Sequence, residues 1–321
     1  KVQQLSNLVG LIPGSDPALA NQPVVLGAHY DHLGLDERGI PFPGADDNAS
    51  GVAALIEVAA KLTRAFTPVR PIVIVAFSGE ESGLLGSKHF VSSPPSALGD
   101  VGFYAMINLD AVGRLEGRKL QVFGSESAYE WPFMAQGIGY TIGVESQLPA
   151  QTIASSDHVS FLNNGVPAIH IFSGLHTDYH RVSDSAAKLD YEGLSGVASW
   201  LEEAAMYLGQ RSEPLRVTLA NAPVVVAPLG SEERGASLGT VPDFAYVGTG
   251  VRITGVIPDS AADAVGLRQN DIILSLNGQT VTDLQTYSNL LRTYAIGDVV
   301  AIELNRGEEN LTVTATLTAR R

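Results

Sequence analysis

The stretch Ile72-Val-Ile-Val-Ala-Phe77 is apolar at every position, and Ser78-Gly-Glu-Glu-Ser-Gly83 follows it directly. A strand with one face in water alternates apolar and polar residues, so this run predicts a strand buried on both faces of a sheet. Such strands occur mainly in α/β proteins, in which helices cover the two faces. The glycines and charges that follow predict a loop at the carboxyl end of the strand.

The same pattern repeats along residues 1–212, where short apolar runs alternate with longer amphipathic stretches. The predicted strands, each bounded by glycine, proline or polar residues, are Val24–Ala28, Ile72–Phe77, Tyr104–Leu109, Leu120–Phe123 and Ala168–Phe172. The predicted helices are Gly51–Arg64, Leu84–Val91, Pro132–Gly137 and Tyr191–Leu208. This alternation predicts an α/β domain with a mixed, largely parallel sheet sandwiched by helices.

The composition of the chain changes after residue 212. Residues 213–235 contain repeated prolines and a small charge cluster, which predict a linker. Residues 236–321 read as a small, β-rich segment with one predicted helix, Leu284–Tyr294. The sequence therefore predicts two domains, residues 1–212 and residues 236–321, joined by this linker.

Composition narrows the classes of function. The 321 residues include no cysteine, which excludes a disulfide framework, a thiolate zinc site and a cysteine nucleophile. The 34 acidic and 20 basic residues give a net charge of −14, which argues against a nucleic-acid binder that relies on positive charge. No apolar run approaches the ~18 residues of a membrane span. Because the chain opens at Lys1 without methionine, we expect a secreted or periplasmic protein whose leader has been removed.

Acidic and histidine side chains collect after the predicted strands. Those that follow a strand end are His29, Asp31, Glu80, Glu81, Asp110, His176 and His180. In an open α/β sheet, ligands bind at the carboxyl ends of the strands, so we expect these side chains at one rim. A further acidic turn, Asp46-Asp-Asn48, precedes the predicted helix at Gly51.

Such a cluster is typical of a metal site. Unpaired carboxylates raise one another's pKa values, whereas a divalent ion neutralises them and takes them as ligands. Histidine with carboxylate and no sulfur is typical of a catalytic zinc site. Each of these acidic or histidine motifs alone also has a structural interpretation, as a solvated loop, a charged helix start or a turn that caps a helix. Their order, strand-end placement and mutual compatibility favour the metal site.

Five motifs resemble those of the co-catalytic zinc aminopeptidases of metallopeptidase family 28. They occur in the family's order, cover residues 5–209 and occupy residues 27–34, 44–51, 79–87, 108–110 and 179–184. The resemblance implies the zinc-dependent exopeptidase fold and two zinc ions as cofactors. It also implies hydrolysis of the N-terminal bond of peptide substrates with a free N-terminus.

The resemblance implies a role for each matching residue. The zinc ligands would be His29, Asp47, Glu81, Asp110 and His180. Asp47 would bridge the two ions, His29 and Asp110 would complete one site, and Glu81 and His180 would complete the other. Glu80 would be the general base toward a water between the ions, and Asp31 would support the ring of His29.

Two further choices follow from the same resemblance. His180 is preferred over His176 as a ligand because Asp184 follows it by four residues, as in the family's His-x-x-x-acid ending. The segment Ser156-Asp-His158 resembles one near the family's active-site rim. A supporting or substrate-side role and a structural loop are both open for this segment.

Residues 237–318 resemble a bacterial-type PDZ domain. The resemblance rests on residues 248–253, 256–262, 265–267 and 271–278, in the order strand, helix turn, Gly-Leu and Asp-Ile-Ile-Leu. It implies that backbone amides around residues 246–251 receive a peptide C-terminus by strand addition. Thr249 stands where an apolar residue is common, so an intramolecular contact with the peptidase domain is the alternative.

The aminopeptidase interpretation has alternatives of other classes. Relatives with this fold include carboxypeptidases and cyclase-type acyltransferases, and a non-catalytic PDZ-bearing scaffold is a further alternative. The presence of all five implied ligands and of Glu80 argues against the scaffold. The partners that we expect are peptide substrates, with no nucleic acid and no membrane span.

Overall fold

The computed structural model describes residues 4–36, 38–149, 156–219, 236–244, 246 and 248–319. These residues form two compact units, one with the first seven strands and one with residues 236–319. The predicted linker lies outside the described residues from residue 220 onward. Its described part packs on the first unit, because Leu215 is buried in that core and Val217 bridges Ala128. The domain boundaries stay predictions. Among the described residues, no helix is long and apolar enough to cross a membrane.

The first unit is built on a seven-stranded sheet. Its strands in chain order are β1 (Leu8–Ile12), β2 (Val24–His29), β3 (Ile72–Phe77), β4 (Ala105–Leu109), β5 (Leu120–Phe123), β6 (Ser146–Gln147) and β7 (Ala168–Phe172). Across the sheet the order is β1-β3-β2-β4-β7-β5-β6. The central strands β3, β2, β4 and β7 run parallel, whereas β1 is antiparallel to β3 and β5 is antiparallel to β7. The predicted mixed, largely parallel sheet is confirmed.

Helices cover both faces of this sheet. They are α1 (Gly51–Ala65), α2 (Leu85–Ser92), α3 (Trp131–Ile142), α4 (His158–Leu162) and α5 (Tyr191–Gln210). Helices α1, α3 and α5 share one buried apolar cluster with the sheet, and α2 and α4 share another with its opposite face. The sheet therefore lies between two helical layers, as the apolar strands predicted.

Strand β2 shows why the central strands are apolar throughout. Successive side chains of a strand point to opposite faces. Val24 and Leu26 belong to the cluster of α1 and α5, whereas Val25 packs with Phe90 and Phe161. Burial of each such side chain contributes about 1.5–3 kcal/mol, so both faces hold the strand in place. The strand ends are correspondingly well fixed.

Four elements of the first unit differ from the predictions by more than one or two residues, and two of them, the short strand β6 and helix α4, were not predicted. Strand β1 was also not predicted, because Leu8, Val9 and Leu11 lie at the sheet edge and are 62%, 40% and 52% exposed. Helix α3 was predicted as Pro132–Gly137 but runs on to Ile142, ending where Gly143 adopts a positive φ of 78°. A glycine in that conformation is a common helix end, whereas Gly137 lies within the helix and is tolerated there.

The second unit is a small antiparallel β structure. Its strands are β8 (Ala236–Ser237), β9 (Thr240–Pro242), β10 (Val251–Val256), β11 (Ile272–Leu276), β12 (Gln279–Thr280), β13 (Val299–Arg306), β14 (Glu309–Thr316) and β15 (Thr318–Ala319). Helices α6 (Ala261–Ala264) and α7 (Leu284–Arg292) complete it, and α7 ends two residues before the predicted end. The β-rich character is confirmed. The predicted carboxylate-binding loop, 246–251, contains Val247, which lies outside the described residues.

Candidate metal centre

The predicted site residues meet at one edge of the first sheet. The four central strands are parallel, so their carboxyl ends lie at the same edge. Strand β2 ends at His29 and β4 is followed by Asp110, while the loops after β3 and β7 carry Glu81 and His180. The structure brings these four residues together around Asp47, which lies in the turn before α1.

One group of donors forms around His29. Its Nε2 lies 3.3 Å from Asp47 Oδ1 and 3.2 Å from Asp110 Oδ1. Zinc–ligand distances of about 2.0–2.2 Å in a tetrahedron place neighbouring donors roughly 3.3–3.6 Å apart. The spacing of these three side chains therefore fits one metal ion.

A second group forms on the other side of Asp47. His180 Nε2 lies 3.0 Å from Asp47 Oδ2 and 3.5 Å from Glu81 Oε2. His32 also lies in this group, and His32, Asp47 and Glu81 are close enough to hold a metal ion. Asp47 thus turns one carboxylate oxygen to each group. This is the arrangement that a bridging carboxylate requires. His176, the alternative ligand, instead accepts the N–H of Asp178 at its Nδ1.

The chemistry of the donor set fits divalent cations. Within the described part of the chain, Asp47, Glu81 and Asp110 form ion pairs with histidines alone. Burial opposes protonation of His29, yet the carboxylates of Asp110 and Asp47 raise its pKa well above the usual range. Burial also opposes ionisation of Asp47, yet hydrogen bonds from His180 and His29 hold its pKa below the usual range. Negative charge is concentrated here, and a divalent ion would offset it.

Glu80 lies beside this centre in a buried position. Burial is the main cause that raises the pKa of its carboxyl well above the usual range, and Asp110, Asp157 and Glu81 add to it. The positive charge of His29 acts in the opposite direction. With a raised pKa, this carboxylate is a stronger base than an ordinary glutamate, as a general base requires.

Asp31 holds the loop of the two glutamates. Its Oδ1 accepts the N–H of Glu80 at 3.1 Å, and its Oδ2 accepts the N–H of Glu81 at 3.3 Å. His29 Nδ1 lies 3.1 Å from the Asp31 carbonyl oxygen and 3.9 Å from Oδ1. The main chain of Asp31 therefore supports the His29 ring, whereas its carboxylate positions the glutamates, a contact that the sequence did not predict.

The turn that carries Asp47 is fixed from two sides. Asp184 Oδ2 accepts the N–H groups of Asp46 at 2.9 Å and Asp47 at 3.2 Å. Asn48, joined to Asp47 by a cis peptide bond, donates to the Leu109 carbonyl at 2.9 Å and accepts the Gly51 N–H at 3.0 Å. The turn that carries Asp47 is therefore tied to β4, to α1 and to the segment after β7.

The segment Ser156-Asp-His158 lies beneath the site and not on its rim. All three residues are fully buried. Asn108 donates to Ser156 Oγ at 2.8 Å, and the rings of His158 and His170 stack 4.9 Å apart. Burial raises the pKa of Asp157 to about 7 and lowers that of His170 to about 3. Full burial argues against a substrate-side role, and the contacts of the segment fit both a supporting and a structural role.

Two residues at the site escaped the sequence analysis. Asn7 clamps the glutamate loop, because its Oδ1 accepts the Ser78 N–H at 3.1 Å and its Nδ2 donates to the Gly86 carbonyl at 2.9 Å. His32 Nδ1 lies 2.9 Å from Glu81 Oε1. The signal for His32 was its place in the first of the five motifs, residues 27–34, three residues after His29. No periodicity marked Asn7.

Comparisons with known proteins agree with this geometry. Residues 7–205 match the sequence model of Peptidase family M28, and residues 208–317 match that of the PDZ domain. Leupeptin-inactivating enzyme 1 of Streptomyces exfoliatus is 27% identical, over 97% of this chain and 73% of that protein.

Solved structures show the same fold. The LapA aminopeptidase of Legionella pneumophila (27% identical, TM-score 0.55) aligns with 64% of this chain and 56% of its own. BSAP, a zinc aminopeptidase from Bacillus subtilis (26% identical, TM-score 0.55), aligns with 64% of this chain and 51% of its own. This chain therefore spans about half the length of these two proteins. A Bacteroides thetaiotaomicron glutaminyl cyclase, 22% identical with a TM-score of 0.53, shares the fold.

Proposed function

Because the chain belongs to peptidase family M28, we propose that it is a zinc-dependent aminopeptidase that removes the N-terminal residue of peptides. The observation that carries the proposal is Asp47, whose two oxygens face two separate groups of histidine and carboxylate donors. The zinc aminopeptidase BSAP and the LapA aminopeptidase support it by similarity.

The proposal assigns each donor to one of two zinc ions. His29, Asp47 and Asp110 would hold one ion, and Asp47, Glu81 and His180 would hold the other. When bound, the two ions would polarise the scissile carbonyl and lower the pKa of water so that a nucleophile forms near neutral pH. The chain's own part is to keep these donors correctly spaced and largely shielded from water.

Glu80 is the proposed general base. Its carboxylate would take a proton from the attacking water and deliver it to the leaving amine nitrogen, which contributes typically ~10²- to 10⁴-fold. Burial raises the pKa of Glu80 and so makes its carboxylate a stronger base, which favours the first transfer. Asp31 holds the Glu80 backbone, so the base stays aligned with the reaction.

The proposed substrates carry an apolar N-terminal residue. The chain that leaves His29 presents Tyr30, Leu33 and Leu35, which are 44%, 39% and 65% exposed. We propose that these side chains contact the N-terminal residue of the substrate. A small panel of substrates tests this part together with the reaction.

The deciding experiment combines metal analysis with the Glu80→Gln variant. Turnover of aminoacyl anilides is measured for both proteins, with free and with blocked N-termini. We expect Glu80→Gln to keep all its zinc and to lose about 10²- to 10⁴-fold in turnover. Zinc loss in this variant would make Glu80 a ligand, and equal cleavage of blocked substrates would contradict the aminopeptidase assignment. Ammonia release from N-terminal glutamine without cleavage would indicate a cyclase.

A further inference from the structure

His32 lies beside the second donor group, which consists of Asp47, Glu81 and His180. Its Nδ1 is 2.9 Å from Glu81 Oε1, whereas Glu81 Oε2 faces His180 Nε2 at 3.5 Å. The two histidines thus lie next to different oxygens of the Glu81 carboxylate. On the basis of the proposed zinc site, we propose that His32 is a positioning residue that donates a hydrogen bond to Oε1 and leaves Oε2 as the metal ligand.

His32, Asp47 and Glu81 are close enough to hold a metal ion, but the individual distances favour the positioning role for His32. His32 Nδ1 lies 2.9 Å from Glu81 but 4.0 Å from Asp47 Oδ2. A ligand of the shared ion would lie roughly 3.3–3.6 Å from both carboxylates. His180 comes closer to that pattern, at 3.0 Å and 3.5 Å. His32 is therefore paired with Glu81, at ordinary hydrogen-bond length.

The surroundings of the ring select the tautomer that this role needs. His32 Nε2 is buried and has no hydrogen-bond partner among the described residues. A buried N–H without an acceptor is costly, so the proton belongs on Nδ1, where Glu81 accepts it. The ring packs edge-on against Phe42 and His180, with centroids 6.3 Å and 5.9 Å away. Its orientation is thus set by packing as well as by the hydrogen bond.

Glu81 is in this way held at both ends. Asp31 fixes its backbone N–H, and His32 fixes its side chain. A hydrogen bond that orients a metal ligand is commonly worth 10- to 100-fold in metal affinity or activity. His32 therefore determines how well Glu81 binds the second zinc, without touching that zinc.

Three substitutions at His32 separate the effect of its hydrogen-bond donor from the effect of its ring packing. In His32→Asn, the amide nitrogen takes the place of Nδ1. In His32→Gln, it takes the place of Nε2, and His32→Ala has no donor. His89→Ala is the matched control, because His89 is exposed on α2. The full-length, zinc-loaded variants are titrated with a competing chelator to give the affinity of each zinc.

The proposal predicts a pattern that a packing role would not produce. His32→Ala and His32→Gln should weaken one zinc by about 10- to 100-fold and leave the other unchanged, whereas His32→Asn should stay within about threefold of wild type. Unchanged zinc affinities in His32→Ala, or a defect in His32→Asn as large as in His32→Ala, would overturn the proposal.

A second measurement needs no variant. Nitrogen NMR of ¹⁵N-histidine-labelled, zinc-loaded protein reports which ring nitrogen of His32 carries the proton. A protonated Nδ1 supports the positioning role, and a metal-bound Nδ1 overturns it in favour of a ligand. If the wild-type chain binds no zinc, the proposed function fails as well. If it binds two ions that His32 does not affect, the His32 proposal alone fails.

Discussion

The two halves of the metal centre differ in how they are built. The strand half consists of His29, the last residue of β2, and Asp110, the residue after β4, with side chains 1% and 13% exposed. The loop half consists of Glu81 and His180, with side chains 12% and 25% exposed. Both share Asp47, which is 2% exposed.

The difference shows two ways to position a ligand. Strands β2 and β4 lie side by side in the core, so the sheet itself places the strand half. The loop half has no such support and depends on added contacts. These come from Asn7, Asp31 and His32. We therefore expect the strand half to bind metal more tightly, because its donors lose less freedom on binding.

The largest expected effect is the loss of one ligand from either half. His180→Ala and Asp110→Asn should each lose turnover on the order of 10³-fold. The zinc that remains should be tighter in His180→Ala, which keeps the strand half, by on the order of tenfold. Chelator competition on both full-length variants measures this. Tighter zinc binding in Asp110→Asn than in His180→Ala would contradict the expectation that the strand half binds metal more tightly.

The next effect concerns the buried polar layer beneath the strand half. Burial raises the pKa of Asp157 to about 7, above its value in an unfolded chain, so the fold favours the protonated form. The contribution of Asp157 to the free energy of unfolding is fully present below about pH 4 and is lost as the pH rises to 7. Its size is at most about 4 kcal/mol, from roughly three pKa units at about 1.4 kcal/mol each.

Asp157→Asn removes this titration. Relative to wild type, its free energy of unfolding should rise between pH 4 and pH 7 and stay level above pH 7. Urea denaturation of the two proteins across this range measures the difference. The opposing titration of His170, whose pKa is lowered to about 3, is common to both proteins and cancels. A constant difference across the range would show that Asp157 is ionised in the fold.

The sequence revealed the donors of both halves, but not the contacts that hold the loop half. Apolar runs located the central strands, and the residues at their ends followed from the chain alone. The supporting contacts could not be found in this way, because Asn7, Asp31 and His32 act through hydrogen bonds between segments distant in sequence. Strand β1 escaped for a related reason, since an exposed edge strand has no buried face to produce a pattern. The resemblance to a known family supplied the ligand set, which composition had only limited to histidine and carboxylate.

The smallest expected effect tests the support of the loop half. Asn7→Ala removes two hydrogen bonds to the loop of Glu80 and Glu81, each worth about 1 kcal/mol. We expect kcat to fall roughly five- to tenfold with little change in KM, since the base and one ligand are less well held. Asn21→Ala, at an exposed position, is the control. A KM effect without a kcat effect would place Asn7 in substrate binding instead.

Asp184 has a consequence for how this chain can change in length. His180 contacts Asp47 in the candidate metal centre, and Asp184, four residues later, accepts hydrogen bonds from the backbone N–H groups of Asp46 and Asp47. Both ends of this short segment are therefore anchored to the same turn. An insertion or deletion between residues 180 and 184, whatever its sequence, would displace either the His180 ring or the carboxylate of Asp184. Changes of length are accordingly expected elsewhere in the chain, and this five-residue spacing should be among the least variable in related proteins.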